Sequence, residues 1–478
     1  MKIIKSFLLS TTAILIGFYS LAQTPKLATL QESFINNTEF RNASIGLYAI
    51  NINTDEVLLC NNPCVSYTPA SILKLFTTSM AIETLGQNAR FSTTLAYSGT
   101  IEDSVLNGDI YIIGGGDPCL GTERYSGLYG EDITETWAYK VKELGIKKIN
   151  GNIIGDVSYF GEVPTPGKWV WEDLGAYYGT PGAAINYMDN TYKLYFQTGT
   201  DKDTAILVKV LPDDLKLIVK NEVTASASVT DDQSYIYLGK NENEIVVKGQ
   251  LPCNKTDFAV KGSIPNPPLY VAQRVMHRLN YLGIRTTGEA IASDKKRDVE
   301  VTTIHTVKSP DLQSIVNYTN QVSCNLYAEV LRLQIIHRSG KNFEEFARNF
   351  MSKNNIEKDG FFPVDGSGVS HYNAITAKQT AELLKHINTS KFGKDFFSGM
   401  AEAGKSGTIK SYKCCNDGTM KLQAKTGSMT RVRSLAGIIT NTKGEKIAFC
   451  IILNNYDAKG ARVKTLLDNF IRAIGTAK

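Results

Sequence analysis

The sequence predicts an α+β fold: an antiparallel sheet flanked by helices, interrupted by a large and mostly β insertion. Three observations carry this expectation. From Met420 to Ile474 the chain reads strand, strand, strand, helix. A hairpin pattern over Ser44–Cys60 precedes an apolar helix near the other end of the chain. Between about residues 91 and 264 the pattern shifts to short strand-like runs separated by turn clusters. Elements in this order bury one face each by stacking helices on a sheet.

The first 22 residues stand apart. Lys2 and Lys5 precede an apolar run from Phe7 to Tyr19, and Ser20-Leu21-Ala22 supplies small residues for cleavage after Ala22. This is the pattern of an export signal. The run is shorter than the ~20 residues a spanning helix needs, and no cysteine follows it as a lipid attachment point. The expectation is an exported, periplasmic protein with no stable transmembrane anchor after cleavage. The whole chain has 478 residues, 42% hydrophobic and 21% charged, which suits a large core in two or three domains. The net charge is +5, and two of those charges belong to the leader. So small an excess gives no basis for a nucleic-acid partner. An exported chain with eight cysteines can form disulfides, but their pairing is not readable from sequence. The five histidines do not combine with the cysteines at zinc-ligand spacing.

Residues 24–40 read as an amphipathic helix. Ser44–Ile52 and Val57–Cys60 read as strands around the turn Asn53-Thr54-Asp55-Glu56. Pro69 then suits a first helical turn, apolar residues run from Ile72 to Leu85, and Gly86 supplies the stop. In the following segment Asp109–Ile113 reads as a strand and Thr134–Leu144 as a helix. Gly114-Gly115-Gly116-Asp117-Pro118 is a backbone turn, since no Gly-Lys-Ser/Thr follows as in a phosphate loop. Tyr192–Val260 is nearly all strand pattern, and marks a β-rich lobe from about 190 to 262. Helical pattern returns with Pro268–Leu282, then Asp311–Thr319, Asn325–Ile336, Phe343–Met351 and Thr376–Ile387. The expected division is therefore a discontinuous domain of residues 23–90 and 265–478, interrupted by 91–264 in two subdomains.

Three short motifs carry chemistry. Ser71 and Lys74 are three residues apart at the start of a helix, so both project from one face. This is the Ser-x-x-Lys pair of serine acyl-transfer enzymes. Ser323-Cys324-Asn325 opens the third helix after the insertion, where a hydroxyl can relay protons and an amide can hold Lys74 and a substrate carbonyl. Lys425-Thr426-Gly427-Ser428 ends an alternating strand along which an extended substrate pairs. Lys425 and Thr426 would take a terminal carboxylate, and Gly427 leaves room for close approach. Each motif has a chance match: Ser293-Asp294-Lys295-Lys296, Ser352-Lys353-Asn354 and Lys405-Ser406-Gly407. Those lie in a charged turn, at a helix end and in a loop, whereas each member of the first set lies on the element that its role needs.

With these motifs in this order, the chain resembles the D-Ala-D-Ala carboxypeptidase/endopeptidases of the low-molecular-mass class C penicillin-binding proteins. The resemblance extends to Gly114-Gly115-Gly116-Asp117-Pro118, to Trp171-Glu172-Asp173-Leu174-Gly175-Ala176-Tyr177-Tyr178-Gly179 and to Asp365-Gly366-Ser367-Gly368-Val369-Ser370. It also covers the long gap between Ser71 and Ser323, where this family inserts two domains into its β-lactamase-like transpeptidase fold. The resemblance implies a Ser71 acyl-enzyme on peptidoglycan stem peptides and cross-links, formed without metal or organic cofactor and trapped by β-lactams. It implies Lys74 as general base, Ser323 and Asn325 as relay and anchor, and the N–H groups of Ser71 and Ser428 as an oxyanion hole. A neutral lysine base is costly: moving a lysine from ~10.4 to near 7 takes about 4 kcal/mol. Burial and the charge of Lys425 both push that way. The resemblance further assigns Asp156 to the amino group of the diaminopimelate side chain. His371 stands where relatives often carry an arginine for the side-chain carboxylate. Cys324 reads as a packed thiol; for Cys414-Cys415 the sequence decides nothing. Two other readings of the same motifs are a β-lactamase and a catalytically silent wall-binding protein.

Overall fold

The computed structural model describes residues 25–161, 165–241 and 243–477. The expected export signal lies outside the described residues. Among these, no helix is long and apolar enough to cross a membrane.

Five strands form an antiparallel sheet in the order Val57–Asn61, Ser44–Asn51, Lys446–Asn454, Val432–Thr440, Lys421–Met429. Both faces are buried, so the strands are apolar on both sides rather than alternating apolar and polar. On one face Leu47, Leu422, Phe449 and Ile451 meet the helix Pro25–Ile35 and the C-terminal helix Gly460–Thr476. Phe34 and Phe470 stack there with centroids 4.1 Å apart. On the other face Tyr48, Ala436, Cys450 and Ile452 share a core with Phe76, Met80 and Leu384. Register places Lys425 opposite Ala436, and Ala436 opposite Cys450. Cross-strand partners share a face, so Lys425 points towards the Ser71 helix and away from the terminal helices.

That helix is central, as its apolar sequence requires. Leu75, Phe76 and Met80 are wholly buried, each worth about 2 kcal/mol relative to exposure. Its buried polar residues are satisfied locally: Thr77 Oγ1 donates to Gly366 O at 2.7 Å, and Thr78 Oγ1 to Lys74 O at 2.7 Å. The α-helix proper is Lys74–Leu85, with Gly86 at its end. Ala70–Leu73 forms a tighter 3-10 turn before it, and Pro69 sits one position outside.

The β-rich lobe has two three-stranded sheets. One pairs Ile206–Leu211, Thr191–Gln197 and Phe258–Ser263; the other pairs Ile218–Ser226, Glu244–Pro252 and Gln233–Leu238. A further five-stranded sheet runs Ala290–Ser293, Ile153–Asp156, Ile110–Gly114, Ser92–Tyr97, Thr302–Lys308. This corrects the expected boundary at residue 264. The helix Pro267–Tyr281 belongs with this sheet, with its Val271 and Val275 buried among Ile112, Ile153 and Trp137. The strands after it pair back to residues 92–156, so the inserted structure continues to Lys308. Parallel pairing of Ala290–Ser293 with Ile153–Asp156 joins segments far apart in sequence. Local pattern does not carry such a contact, and the charged run Asp294–Asp298 hid the strand before it.

Candidate active site

The motif residues from three parts of the chain meet at one cleft. Ser71 lies in the 3-10 turn, after Ala70, whose φ of 49° is left-handed. For a residue with a Cβ this costs about 1–2 kcal/mol, and surrounding structure holds it. Gly368 packs so close that a Cβ there would lie 2.0 Å from Ala70 O. Gly427 approaches from the edge strand: a Cβ on it would lie 2.1 Å from Ser434 Oγ, 2.6 Å from Pro69 O and 3.0 Å from Ser71 N. In this structure the space beside Gly427 is filled by the backbone of Pro69 and Ser71 and by the Ser434 hydroxyl. Ser434 Oγ donates to Pro69 O at 2.5 Å and clamps the same turn.

Lys74 Nζ lies 3.0 Å from Ser71 Oγ and donates to Ser367 O at 2.5 Å. The lysine is fully buried. Burial pushes its pKa down to about 8, against the opposing pull of Asp365 and Glu329. Those two carboxylates were not singled out as site residues from sequence. Glu329 is 1% exposed on the helix Asn325–Ser339, takes the N–H groups of Gly366 and Ser367 at 3.0 and 2.8 Å, and pairs with Arg332 at 2.8 Å. Asp365 accepts from Gly368 N, Ser370 N, Asn373 Nδ2 and Trp169 Nε1 at 2.7, 2.7, 3.0 and 2.8 Å. Burial, with Glu329 nearby, pushes its carboxyl upward. The loop Asp365–Ser370 is therefore built around a buried carboxylate, and its Ser367 carbonyl faces Lys74.

Ser323 ends the helix Leu312–Val322 in a left-handed conformation, φ 66°. That turn brings its hydroxyl to Lys425, whose Nζ donates to Ser323 Oγ at 2.8 Å and to Thr426 O at 2.8 Å. Lys425 is wholly buried; burial first, and then the charge of Lys74, hold it well below the ordinary lysine range. Thr426 Oγ1 donates to Thr408 Oγ1 at 2.8 Å. Asn325 behaves differently from expectation. Its amide donates to Tyr178 O at 2.7 Å, a carbonyl from the inserted segment, and no bond to Lys74 is formed. Cys324, between them, lines the cleft, and desolvation pushes its thiol up to about 12, so it is no thiolate nucleophile at neutral pH.

The cleft has a volume of about 630 Å³, and Ser71, Ser323, Asn325, Ser428 and His371 line it. Arg124 and Asp189 form an ion pair at 3.2 Å in its wall, with the guanidinium 3.6 Å over the Tyr318 ring. A larger cavity of about 770 Å³ lies elsewhere, between residues 213–217 and the helix Pro267–Tyr281, and holds none of the motif residues. Asp156 is not brought to the cleft. It is 1% exposed at the end of the strand Ile153–Asp156, bonded to Arg297 and to Ser158 N. In this structure its carboxylate is taken up by Arg297 and the Ser158 N–H. Two of the chance matches stay apart, since Ser293 ends a strand of the inserted sheet and Ser352 lies in the last turn of Phe343–Lys353, whereas Lys405-Ser406-Gly407 adjoins the motif strand, with the following Thr408 bonded to Thr426. Cys414 and Cys415 are free thiols with Sγ atoms 3.5 Å apart.

Comparison with known proteins agrees with this geometry. The family model described as D-Ala-D-Ala carboxypeptidase 3 (S13) matches residues 27–473. The chain is 27% identical over 451 residues to the D-alanyl-D-alanine carboxypeptidase DacB of Haemophilus influenzae, covering 92% of this chain and 91% of that protein. It is 24% identical over 460 residues to the D-alanyl-D-alanine carboxypeptidase of an Actinomadura species, covering 91% and 82%. In fold it is similar to the crystal structure of penicillin binding protein 4 from Haemophilus influenzae, with a TM-score of 0.79 at 24% identity over 94% of this chain and 98% of that one. With a match over nearly its whole described length, the chain belongs to the D-Ala-D-Ala carboxypeptidase 3 (S13) family and is a serine D,D-peptidase.

Proposed function

We propose that this serine D,D-peptidase acts on peptidoglycan stem peptides through a Ser71 acyl-enzyme. The observation that carries the reading is the buried Lys74 Nζ, 3.0 Å from Ser71 Oγ and depressed to about 8. A lysine at that value is about one-tenth neutral amine at pH 7, enough to serve as a base. Neutral Lys74 takes the Ser71 proton as Oγ attacks the carbonyl carbon of the penultimate D-Ala. The oxyanion takes hydrogen bonds from the N–H groups of Ser71 and Ser428. Collapse breaks the C–N bond, and the proton that Lys74 took from Ser71 passes through the Ser323 hydroxyl to the leaving amine, which returns Lys74 to its neutral form. Water then hydrolyses the ester and regenerates Ser71.

The edge strand Lys421–Met429 supports the binding half of this reading. One side of it pairs with Val432–Thr440; on the other, residues 401–403 bond to Leu422 and Ala424, which leaves the edge from Lys425 onward for an extended peptide. Lys425, Thr426 and Gly427 receive the terminal carboxylate, and Asn325, held by Tyr178, presents its amide to the acyl side. Terminal D-Ala removal and cleavage of D,D-cross-links differ only in what the departing amine carries, and both fit this chemistry. A β-lactam offers the same carbonyl and would acylate Ser71. Export to the periplasm follows from the leader pattern of residues 1–22. The discontinuous unit on either side of the insertion holds Ser71, Ser323 and Lys425.

The test is hydrolysis of a pentapeptide ending in D-Ala-D-Ala. One equivalent of D-Ala per tetrapeptide, lost in Ser71→Ala, is expected. Rapid turnover of a β-lactam with no peptide hydrolysis would replace this reading by a β-lactamase, and inertness to both by a silent binding protein.

A further inference from the structure

A row of aromatic rings runs outward from the mouth of the Ser71 cleft over the β-rich lobe. On the strand Gln233–Leu238, the period of two turns Ile236 into the core at 2% exposure and leaves Tyr235 and Tyr237 on the outer face. Trp171 packs on that face with its ring 5.0 Å from Tyr237, and Tyr235 follows at 6.4 Å. Tyr177 and Tyr235 line the same cleft as Ser71 and Asn325. Trp171 is 60% exposed, Tyr177 53% and Tyr235 41%. Single exposed rings are common, but a contiguous cluster beside a cleft marks a binding surface. Polar groups frame it: Glu172 and Lys261 line the cleft beside the rings. The Lys261 ammonium lies 5.9 Å over Tyr177 and has no ion-pair partner among the described residues.

We propose that this row is a platform for the glycan strand to which a stem peptide in the cleft is attached. The inference rests on the D,D-peptidase reading above and deepens it from free peptide to sugar-linked substrate. Pyranose rings present C–H groups on their faces and hydroxyl and amide groups on their rims. Flat rings framed by an amine, a carboxylate and tyrosine hydroxyls match both. An apolar protein surface would meet those polar groups unpaired. Position argues the same way. The row begins beside Tyr178, whose carbonyl takes the Asn325 amide, and so on the acyl side of the cleft. A stem of about five residues reaches at most ~17 Å when extended. A peptide seated at Ser71 therefore carries its sugar to the cleft mouth, where the rings are.

The test compares kcat/KM on a free pentapeptide ending in D-Ala-D-Ala with kcat/KM on the same peptide linked to a disaccharide of N-acetylglucosamine and N-acetylmuramic acid. Wild-type enzyme should prefer the linked substrate by about tenfold, the scale of one to two ring-stacking contacts. Trp171→Ala/Tyr237→Ala, two rings of the row outside the lining of the Ser71 cleft, should lose that preference with kcat/KM on free peptide unchanged. Equal use of both substrates by the wild type, or a preference that survives in the double variant, overturns the platform. If the double variant is also slow on free peptide, Trp171→Ala alone, at a largely exposed ring, is judged by the same ratio. Failure of the wild type on both substrates would sink the peptidase reading. The platform is then judged by tryptophan fluorescence during titration with a peptide-free tetrasaccharide of the same sugars, where a response that Trp171→Phe leaves unaltered counts against it.

Discussion

Glu329 Oε1 accepts the Ser367 N–H at 2.8 Å, and the carbonyl of that same Ser367 accepts from Lys74 Nζ at 2.5 Å. A buried carboxylate thus holds the peptide that positions the base. It also acts on the base by charge, stabilising the ammonium form and opposing the effect of burial. Glu329→Gln keeps an acceptor for the two N–H groups and removes the charge. The Lys74 pKa should fall, and the rising limb of the pH–acylation profile should move by about one unit to the acid side. A profile that stays in place would mean that Glu329 is structural only.

The wild-type profile tests the base itself. Lys74 has to be neutral to take a proton, and its pKa lies at about 8. The second-order rate of β-lactam acylation should therefore climb from pH 6.5 to beyond pH 8, by about tenfold per unit on the acid limb. A flat profile over that range removes Lys74 from the role.

Gly427→Ala probes the approach of the edge strand. Its Cβ would meet Ser434 Oγ and the backbone of Pro69 and Ser71. The strand must then retreat from the nucleophile, and displacement of that order costs at least about 100-fold in rate. Adding Ser434→Ala relieves the nearest contact and leaves the two backbone contacts, so rescue should be partial. Near-normal acylation by Gly427→Ala, measured by stopped flow, would contradict the close packing of this strand on the Ser71 turn.

In the inserted segment, Asp132 caps the helix Ile133–Glu143 through Thr134 N at 2.9 Å and pairs with Arg274 and Arg278 at 2.7 and 2.9 Å. Burial alone would raise its pKa, but Thr134 and the arginines outweigh it and hold it well below the usual carboxylate range. A depressed folded-state pKa gives stability that is present above the unfolded value of ~3.9 and lost as pH falls through the folded value. Asp132→Asn should cost about 2–3 kcal/mol at pH 7. The gap to wild type should narrow below pH 4, because only the wild type loses this contribution there. Denaturant melts at pH 7 and pH 3 check it; a gap constant with pH would deny the ion pairs their role.

The three motifs were legible because each is local: spacing on one helix turn or one strand states which side chains share a face. The terminal strands and the Ser71 helix were legible for the same reason. What surrounds the motifs was not. Glu329 stands in the apolar run Leu326–Leu331, where a lone charge was the available clue, but its link to Gly366 and Ser367 arises only when the helix packs on a distant loop. Asn325 was expected at Lys74; instead a carbonyl from the insertion, at Tyr178, takes its amide. Asp156 sits in a family-like run, yet Arg297, from a strand connection that sequence pattern did not reveal, occupies its carboxylate. The boundary near residue 264 failed for the same reason, since parallel pairing carries no local signature.

The central claim is that Ser71 is the nucleophile. Its most direct test is incubation of the mature protein with a fluorescent penicillin, followed by peptide mass spectrometry, with Ser71→Ala alongside. The expected result is a stable adduct on the peptide containing Ser71 and none in the variant. An adduct on any other residue, or equal labelling of Ser71→Ala, would contradict the account.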